Sequence, residues 1–189
     1  RRPRVTPLGP GSSALPPGSV APPLTARAHE LLRERPDAEL EFGPLVPEDA
    51  AELAALQREW FPEASYPGGT NWCERLLRAE GVVALKLSLA GDPSRAPAGA
   101  VVALATRAAI EAFTEPASVE VLRKELTVPR YIPWDRPERR GLAYVLSLGV
   151  VGELRRRGLA AELLRRCLAA LEGPELCAVA LDLAAYNLA

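Results

Sequence analysis

Methionine is absent from the 189 residues, histidine occurs once and cysteine three times. With His29 as the single histidine, a zinc site built on two or more histidines is excluded, and a Ser-His-Asp triad would depend on that one residue. Cys73, Cys167 and Cys177 are widely spaced with no C-x-x-C pair, so neither a metal knuckle nor a disulfide framework is expected, and the odd count fits a reducing compartment. No metal is therefore expected. An excess of one charge is missing as well. The 23 Lys+Arg against 24 Asp+Glu leave a formal net charge of −1, without the basic surplus that phosphate contacts impose on nucleic-acid binders, so no nucleic-acid partner is expected. Long apolar runs are lacking too, since no stretch reaches the roughly 18–20 residues of a membrane-crossing helix. The longest uncharged run, Val5 to Ala26, holds six prolines and three glycines.

What is present is the profile of one soluble domain, 48% hydrophobic and 25% charged, preceded by a tail. Residues 1–36 begin with seven prolines in the first 24 positions and carry no acidic residue before Glu30. Such a leader buries too little apolar surface to offset its ordering entropy and is not expected to pack. Its arginine content leaves open the remnant of an organelle transit peptide. His29 lies in this segment, in the helix-like run Ala26 to Arg35, and is expected to do no chemistry. The absence of methionine and the Arg1 start point to a processed or incomplete product.

Residues 37–189 have the size of a single domain. Leu40 to Val46 reads as a strand, followed by a helix to about Trp60 with Ala51, Leu53, Ala54, Leu56 and Gln57 on its apolar face. Phe61 to Gly69 is a loop, Asn71 to Glu80 a helix, and Val82 to Ala90 with Ala98 to Thr106 an antiparallel hairpin across a Gly91-Asp92-Pro93-Ser94 turn. Residues 107–140 read as a long connection, partly helical. Ala143 to Val151 is a strong strand, a helix runs from about Gly152 to Leu171 with Leu164, Cys167, Leu168 and Leu171 inward, and Cys177 to Ala184 is the last strand. The order β-α-α-β-β-loop-β-α-β indicates an α/β or α+β domain.

Arginine is distributed unevenly. Only Lys86 and Lys124 are lysines, and Arg155, Arg156, Arg157, Arg165 and Arg166 crowd into twelve positions. The strand-turn-helix from Tyr144 to Leu171 leads into Gly158, Leu159, Ala160 and Ala161, where the free amides and positive dipole end of a helix, with small residues, suit a pyrophosphate. Alone, the same residues also fit an arginine-rich solvated helix face.

Arg155, Gly158 and Ala160 match the Arg/Gln-x-x-Gly-x-Gly/Ala signature of acetyl-coenzyme A binding, and the segment resembles the GNAT acetyltransferases. The strand Ala143 to Val151 with Glu153 to Gly158, the Trp60-Phe61-Pro62 and Tyr66-Pro67 pairs, and Leu181 to Asn187 are similar in particular to the NatF-type, Golgi-associated N-terminal acetyltransferases. The resemblance covers about Leu40 to Ala189. It implies a mixed, mostly antiparallel twisted sheet flanked by helices. It also implies acetyl-CoA as co-substrate, a polypeptide N-terminus as acceptor, and direct attack of the free amine on the thioester. Leu148, Gly149 and Val150 would pair with the pantetheine arm, Arg155 to Ala161 would hold the diphosphate, and Asn187 would complete the cofactor site. Tyr144 falls on the family's catalytic tyrosine, a base acting through water because a tyrosine ordinarily titrates near 10. Leu146, on the same face two residues on, would line the peptide slot, with Phe61, Pro62 and Tyr66 as its opposite wall.

Two departures stand out. The family's second catalytic residue, a histidine, coincides with Asp182, which either relays a proton or is an ordinary strand residue. A GNAT domain also continues beyond the position of Asn187 with a helix and two strands, so a C-terminally incomplete domain is expected, with an apolar edge on the fifth strand. The location implied is the cytoplasm or the cytosolic face of the Golgi, or an organelle if the leader is a transit peptide. Membrane association would rest on residues after Ala189. Transfer to a lysine or a small amine, or an inactive acetyl-CoA-binding module, are the alternative readings.

Overall fold

A computed structural model describes residues 24–61, 69–92, 94–114, 116, 119–120, 141–172, 176 and 178–181. Five strands form one sheet in the order β1-β2-β3-β4-β5: β1 Leu40–Pro44, β2 Val82–Leu89, β3 Pro97–Leu104, β4 Leu142–Val150 and β5 Ala178–Leu181. The first four pair antiparallel and β5 lies parallel to β4. Among the described residues five helices accompany them, α1 Leu24–Glu34, α2 Ala50–Trp60, α3 Thr70–Arg78, α4 Arg107–Phe113 and α5 Leu159–Leu171. No helix among the described residues is long and apolar enough to cross a membrane.

β3 explains the layering. Its sequence Pro-Ala-Gly-Ala-Val-Val-Ala-Leu carries no polar residue, and every position is buried, so it is covered on both faces. On one face lies α5, where Leu163 reaches Gly99 of β3 and Arg166 sits 4.1 Å over the ring of Phe42 in β1. On the other lie α2 and α3. Lys86 of β2 donates to both oxygens of Asp49, just before α2, at 2.6 and 2.8 Å, and Asp49 also accepts the Val46 N–H at 2.9 Å. Removing one partner of so buried a pair would strand a charge in the core.

β1 to β4 fall within a residue or two of expectation, the expected Cys177 to Ala184 strand is described over Ala178–Leu181 with its remaining residues outside the described ones, and the mixed, mostly antiparallel sheet is as predicted. Three readings need correction. The segment expected not to pack contains α1, whose Ala28 and Leu32 are only 1% and 3% exposed and join the core. Residues one helical turn apart share a face, so Ala28 and Leu32, with Leu31 packed beside them, dock this helix despite the proline-rich stretch before it. Residues 1–23 lie outside the described residues. In α2 the inward side chains are Ala50, Leu53, Ala54, Leu56, Gln57 and Trp60, whereas Ala51 is exposed. The last helix starts at Leu159 after a separate 3-10 turn at Gly152–Leu154, and Leu163, Cys167 and Leu171 are its buried face, with Leu164 and Leu168 half-buried. Val179 and Leu181 of β5 are exposed.

Candidate functional site

β4 carries a bulge that decides which of its side chains share a face. Val102 of β3 pairs with Ser147 and the neighbouring Ala103 with Val145, so the register slips by one residue at Leu146. Alternation is thereby reset. Tyr144, Ser147 and Gly149 lie on the α2 face, and the two-residue spacing that put Leu146 beside Tyr144 no longer carries that placement. Tyr144 is 6% exposed and sits in the ladder between Leu104 and Ala180, while Leu146, Leu148 and Gly149 are half-buried and Val150 is buried.

Polar groups that the sequence reading did not single out support this face. The Cys73 thiol of α3 donates to Gln57 Oε1 at 3.6 Å, and Gln57 Nε2 donates to Ser147 Oγ at 3.4 Å, so a buried chain of three side chains runs from α3 through α2 to β4. Burial pushes the Cys73 thiol up to about 11, despite the nearby Arg58, so it stays protonated and serves as a donor. The signal was available, since Gln57 interrupts an otherwise apolar stripe. One turn on, the indole of Trp60 lies flat against Gly149, where a Cβ would come within 2.4 Å of the ring. Only glycine admits that approach, and Phe61 meets the same indole edge-on at a centroid distance of 6.5 Å.

On the β5 side of β4 the described ladder ends at Val145, which pairs with Leu181, and Ser147 to Val150 have no ladder partner there among the described residues. That stretch runs directly into the 3-10 turn and then into Arg155–Gly158. Two left-handed residues shape the second turn, Arg156 at φ 61° and Gly158 at φ 75°. Gly158 takes this conformation at no steric cost, and its carbonyl accepts the Glu162 N–H at 3.0 Å to close the first turn of α5. The amides of Leu159, Ala160 and Ala161 therefore precede the first intrahelical bond, the arrangement that receives an anion. Arg155, Arg156 and Arg157 are exposed, and none has an acidic partner among the described residues. Arg157 donates to the Pro36 carbonyl at 3.3 Å.

Arg165 and Arg166 differ. Both bind Glu162 at 2.7–2.8 Å, and these hydrogen bonds, that of Arg165 first, hold the Glu162 carboxyl down to about 2. Of the predicted site residues the structure thus gathers Leu148 to Val150 with Arg155 to Ala161 along one edge, and Tyr144 beneath the neighbouring face beside Ser147. Phe61 ends α2 near Trp60. Pro62, Tyr66, Asp182 and Asn187 lie outside the described residues. No group of three or more metal-ligating side chains occurs among the described residues.

No protein-family profile matches the chain, and no curated protein is similar to it in sequence. Solved structures are similar in fold. NAA60 of Arabidopsis thaliana, in complex with acetyl-CoA, is 24% identical over 79% of this chain and 77% of its own, with a TM-score of 0.56. A GCN5-related N-acetyltransferase from Ralstonia eutropha JMP134 is 16% identical over 79% and 86%, at 0.53. The aminoglycoside acetyltransferase meta-AAC0020 from an uncultured soil metagenomic sample, in complex with sisomicin, is 14% identical over 79% and 80%, at 0.51. The fold is that of the GNAT acetyltransferases.

Proposed function

We propose that the chain is an acetyl-CoA-dependent N-acetyltransferase whose acceptor is the α-amine of a polypeptide N-terminus. The observation that carries the reading is the continuity from the Ser147–Val150 edge of β4, which has no ladder partner on its β5 side among the described residues, into a turn with two left-handed residues, three arginines without acidic partners among the described residues, and a helix N-terminus. An extended arm ending in a diphosphate matches that order of groups, since the edge offers ladder hydrogen bonds and the turn offers amides and guanidinium groups. Acetyl-CoA, when bound, supplies an acyl group on a thioester that a free amine can attack.

The residues of the chain then have simple duties. Leu148, Gly149 and Val150 hold the arm in extension through their backbone, and Gly149, by admitting Trp60, keeps this end of β4 pressed against α2. The arginines and the Leu159 to Ala161 amides anchor the charged end. Alignment of amine and thioester supplies most of the acceleration such a transfer needs. Tyr144, in the role the resemblance assigns to it, would pass on through water the proton that the attacking amine loses, giving up its own hydroxyl proton as it accepts one. The NAA60 likeness and Phe61 at the end of α2 support a peptide acceptor over an aminoglycoside.

The test has two stages. Acetyl-CoA at 100 times its Kd is expected to stabilise the fold by about 2.7 kcal/mol in a thermal melt, and no stabilisation at saturation would overturn the reading. Acetylation of peptides with free α-amines is then compared with that of α-blocked lysine peptides and aminoglycosides. Preference for the free α-amine, lost by at least about 100-fold in Tyr144→Phe, is expected from general base catalysis.

A further inference from the structure

The sequence reading left His29 idle, yet its two ring nitrogens meet carboxylates from two different elements. On α1 it lies next to Ala28, one turn before Arg33 and Leu32, so one rail of the helix enters the core and the adjacent rail turns towards the 3-10 turn Gly152–Leu154. His29 Nδ1 is 2.6 Å from Glu153 Oε2 and Nε2 is 3.1 Å from Glu59 Oε2 at the end of α2. Arg33 Nε lies 3.4 Å from the other oxygen of Glu153. Two residues of α1 therefore hold both oxygens of Glu153, two positions before Arg155. Past the end of α1, the Pro36 carbonyl accepts from Arg157 at 3.3 Å. The N-terminal helix and its exit thus grip the turn at residues 153 and 157, on either side of Arg155 and Arg156.

We propose that His29 is a positioning residue for the diphosphate-binding turn, acting through Glu153 in its protonated form. The inference rests on the reading of Arg155 to Ala161 given above. An imidazolium donates from both nitrogens and satisfies both carboxylates at once, whereas neutral imidazole has one N–H and must present a lone pair to the other glutamate. Among the described residues the charged groups around the ring are Glu59 from α2, Glu153 from the 3-10 turn and Arg33 from α1 itself. β3, the strand packed against α1, has no titratable residue. Burial opposes the charged ring, but the hydrogen bonds to Glu59 and Glu153, with their charges, outweigh it and raise His29 above 6.5. Burial likewise opposes the Glu153 carboxylate, and its own backbone bond, His29 and Arg33 together bring it below 4.5. The grip is complete between these two titrations and loosens as pH rises through that of His29.

Calorimetric titration with acetyl-CoA between pH 6 and 9 tests this in wild type, His29→Gln and Glu153→Gln. At pH 6 His29→Gln is expected to bind about threefold more weakly, the scale of a half-exposed ion pair, and the difference should vanish by pH 9. Titration of the CoA phosphates is common to both proteins and cancels in the ratio. Glu153→Gln separates positioning from simple attraction. It removes a negative charge beside an anion site, so attraction alone predicts tighter binding and positioning predicts about threefold weaker binding. In wild type, the ring resonances of the sole histidine should titrate about half a pH unit higher with acetyl-CoA bound, by reciprocity with a threefold effect. A pH-independent ratio, tighter binding by Glu153→Gln or an unmoved histidine titration would overturn the proposal alone. No binding by any protein at any pH would overturn the reading of the site and the proposal with it.

Discussion

Arg155, Arg156 and Arg157 occupy the turn ahead of α5, and Arg165 and Arg166 occupy its body, ten residues further along the same arginine-rich segment. The first group is exposed, follows a left-handed backbone and meets no acid among the described residues. The second is held by Glu162, and Arg166 also covers Phe42 of β1. Equal charges in neighbouring positions thus serve opposite ends, one left available to an anion and one consumed in fixing a helix to a sheet. Guanidinium suits both, as a fork for phosphate oxygens and as a flat cation over an aromatic ring.

Removing each group breaks the comparison most directly. Replacement of Arg155, Arg156 and Arg157 together by alanine is expected to weaken acetyl-CoA binding by at least about 30-fold, since charge-assisted hydrogen bonds contribute roughly 1.5–3 kcal/mol each where they are desolvated. Replacement of Arg165 and Arg166 should change that affinity by less than about threefold and should lower Tm instead. Titration calorimetry and thermal melts on the two variants read both quantities. Equal losses of affinity would mean that net charge alone attracts the ligand and that the turn has no special place.

A smaller effect distinguishes the backbone of the two regions. Gly158→Ala puts a side chain at φ 75° and is expected to cost about 1 kcal/mol of stability and to loosen acetyl-CoA binding by about tenfold, because the first turn of α5 must shift. Ala169→Gly, on the exposed side near the end of α5, is expected to cost up to about 1 kcal/mol with affinity unchanged. Denaturant melts and ligand titration of the pair show whether stability and binding separate. Parallel losses in both variants would make α5 one undivided unit.

The turn was legible because its signal is local. A largely apolar strand, glycines and a helix opening are adjacent in the chain, and Gly158 falls at one of the two positions before α5 where φ is positive. What escaped depends on contacts across long separations. His29 finds Glu153 at a distance of 124 residues, and a proline-rich neighbourhood concealed that the helix-like run around it docks through Ala28 and Leu32. The bulge at Leu146 was equally hidden, since nothing in Tyr-Val-Leu-Ser-Leu-Gly marks where alternation slips, and with it went the pairing of Ser147 with Gln57. Strand and helix positions follow from periodicity, whereas the facing of Tyr144, Ser147 and Gly149 follows from register, which the partner strand imposes.

The smallest expected effect concerns Glu162, the residue that separates the two arginine groups. Its carboxyl is held down to about 2 by Arg165 and Arg166, so its folded pKa lies below the unfolded value near 4.5. A group depressed in this way contributes stability above its unfolded pKa and loses the contribution as pH falls through the folded one. Glu162→Gln should therefore melt slightly below wild type at pH 7, and the gap should close as pH falls from 4.5 towards 2. Because the pair is exposed, the gap should also shrink in 1 M salt, where screening reaches roughly 3 Å. Melting curves of the two proteins across this pH range give the answer. A gap that persists at pH 2 would show that Glu162 acts through helix geometry rather than charge, and Arg165 and Arg166 would then no longer be the neutralised counterpart of the turn arginines.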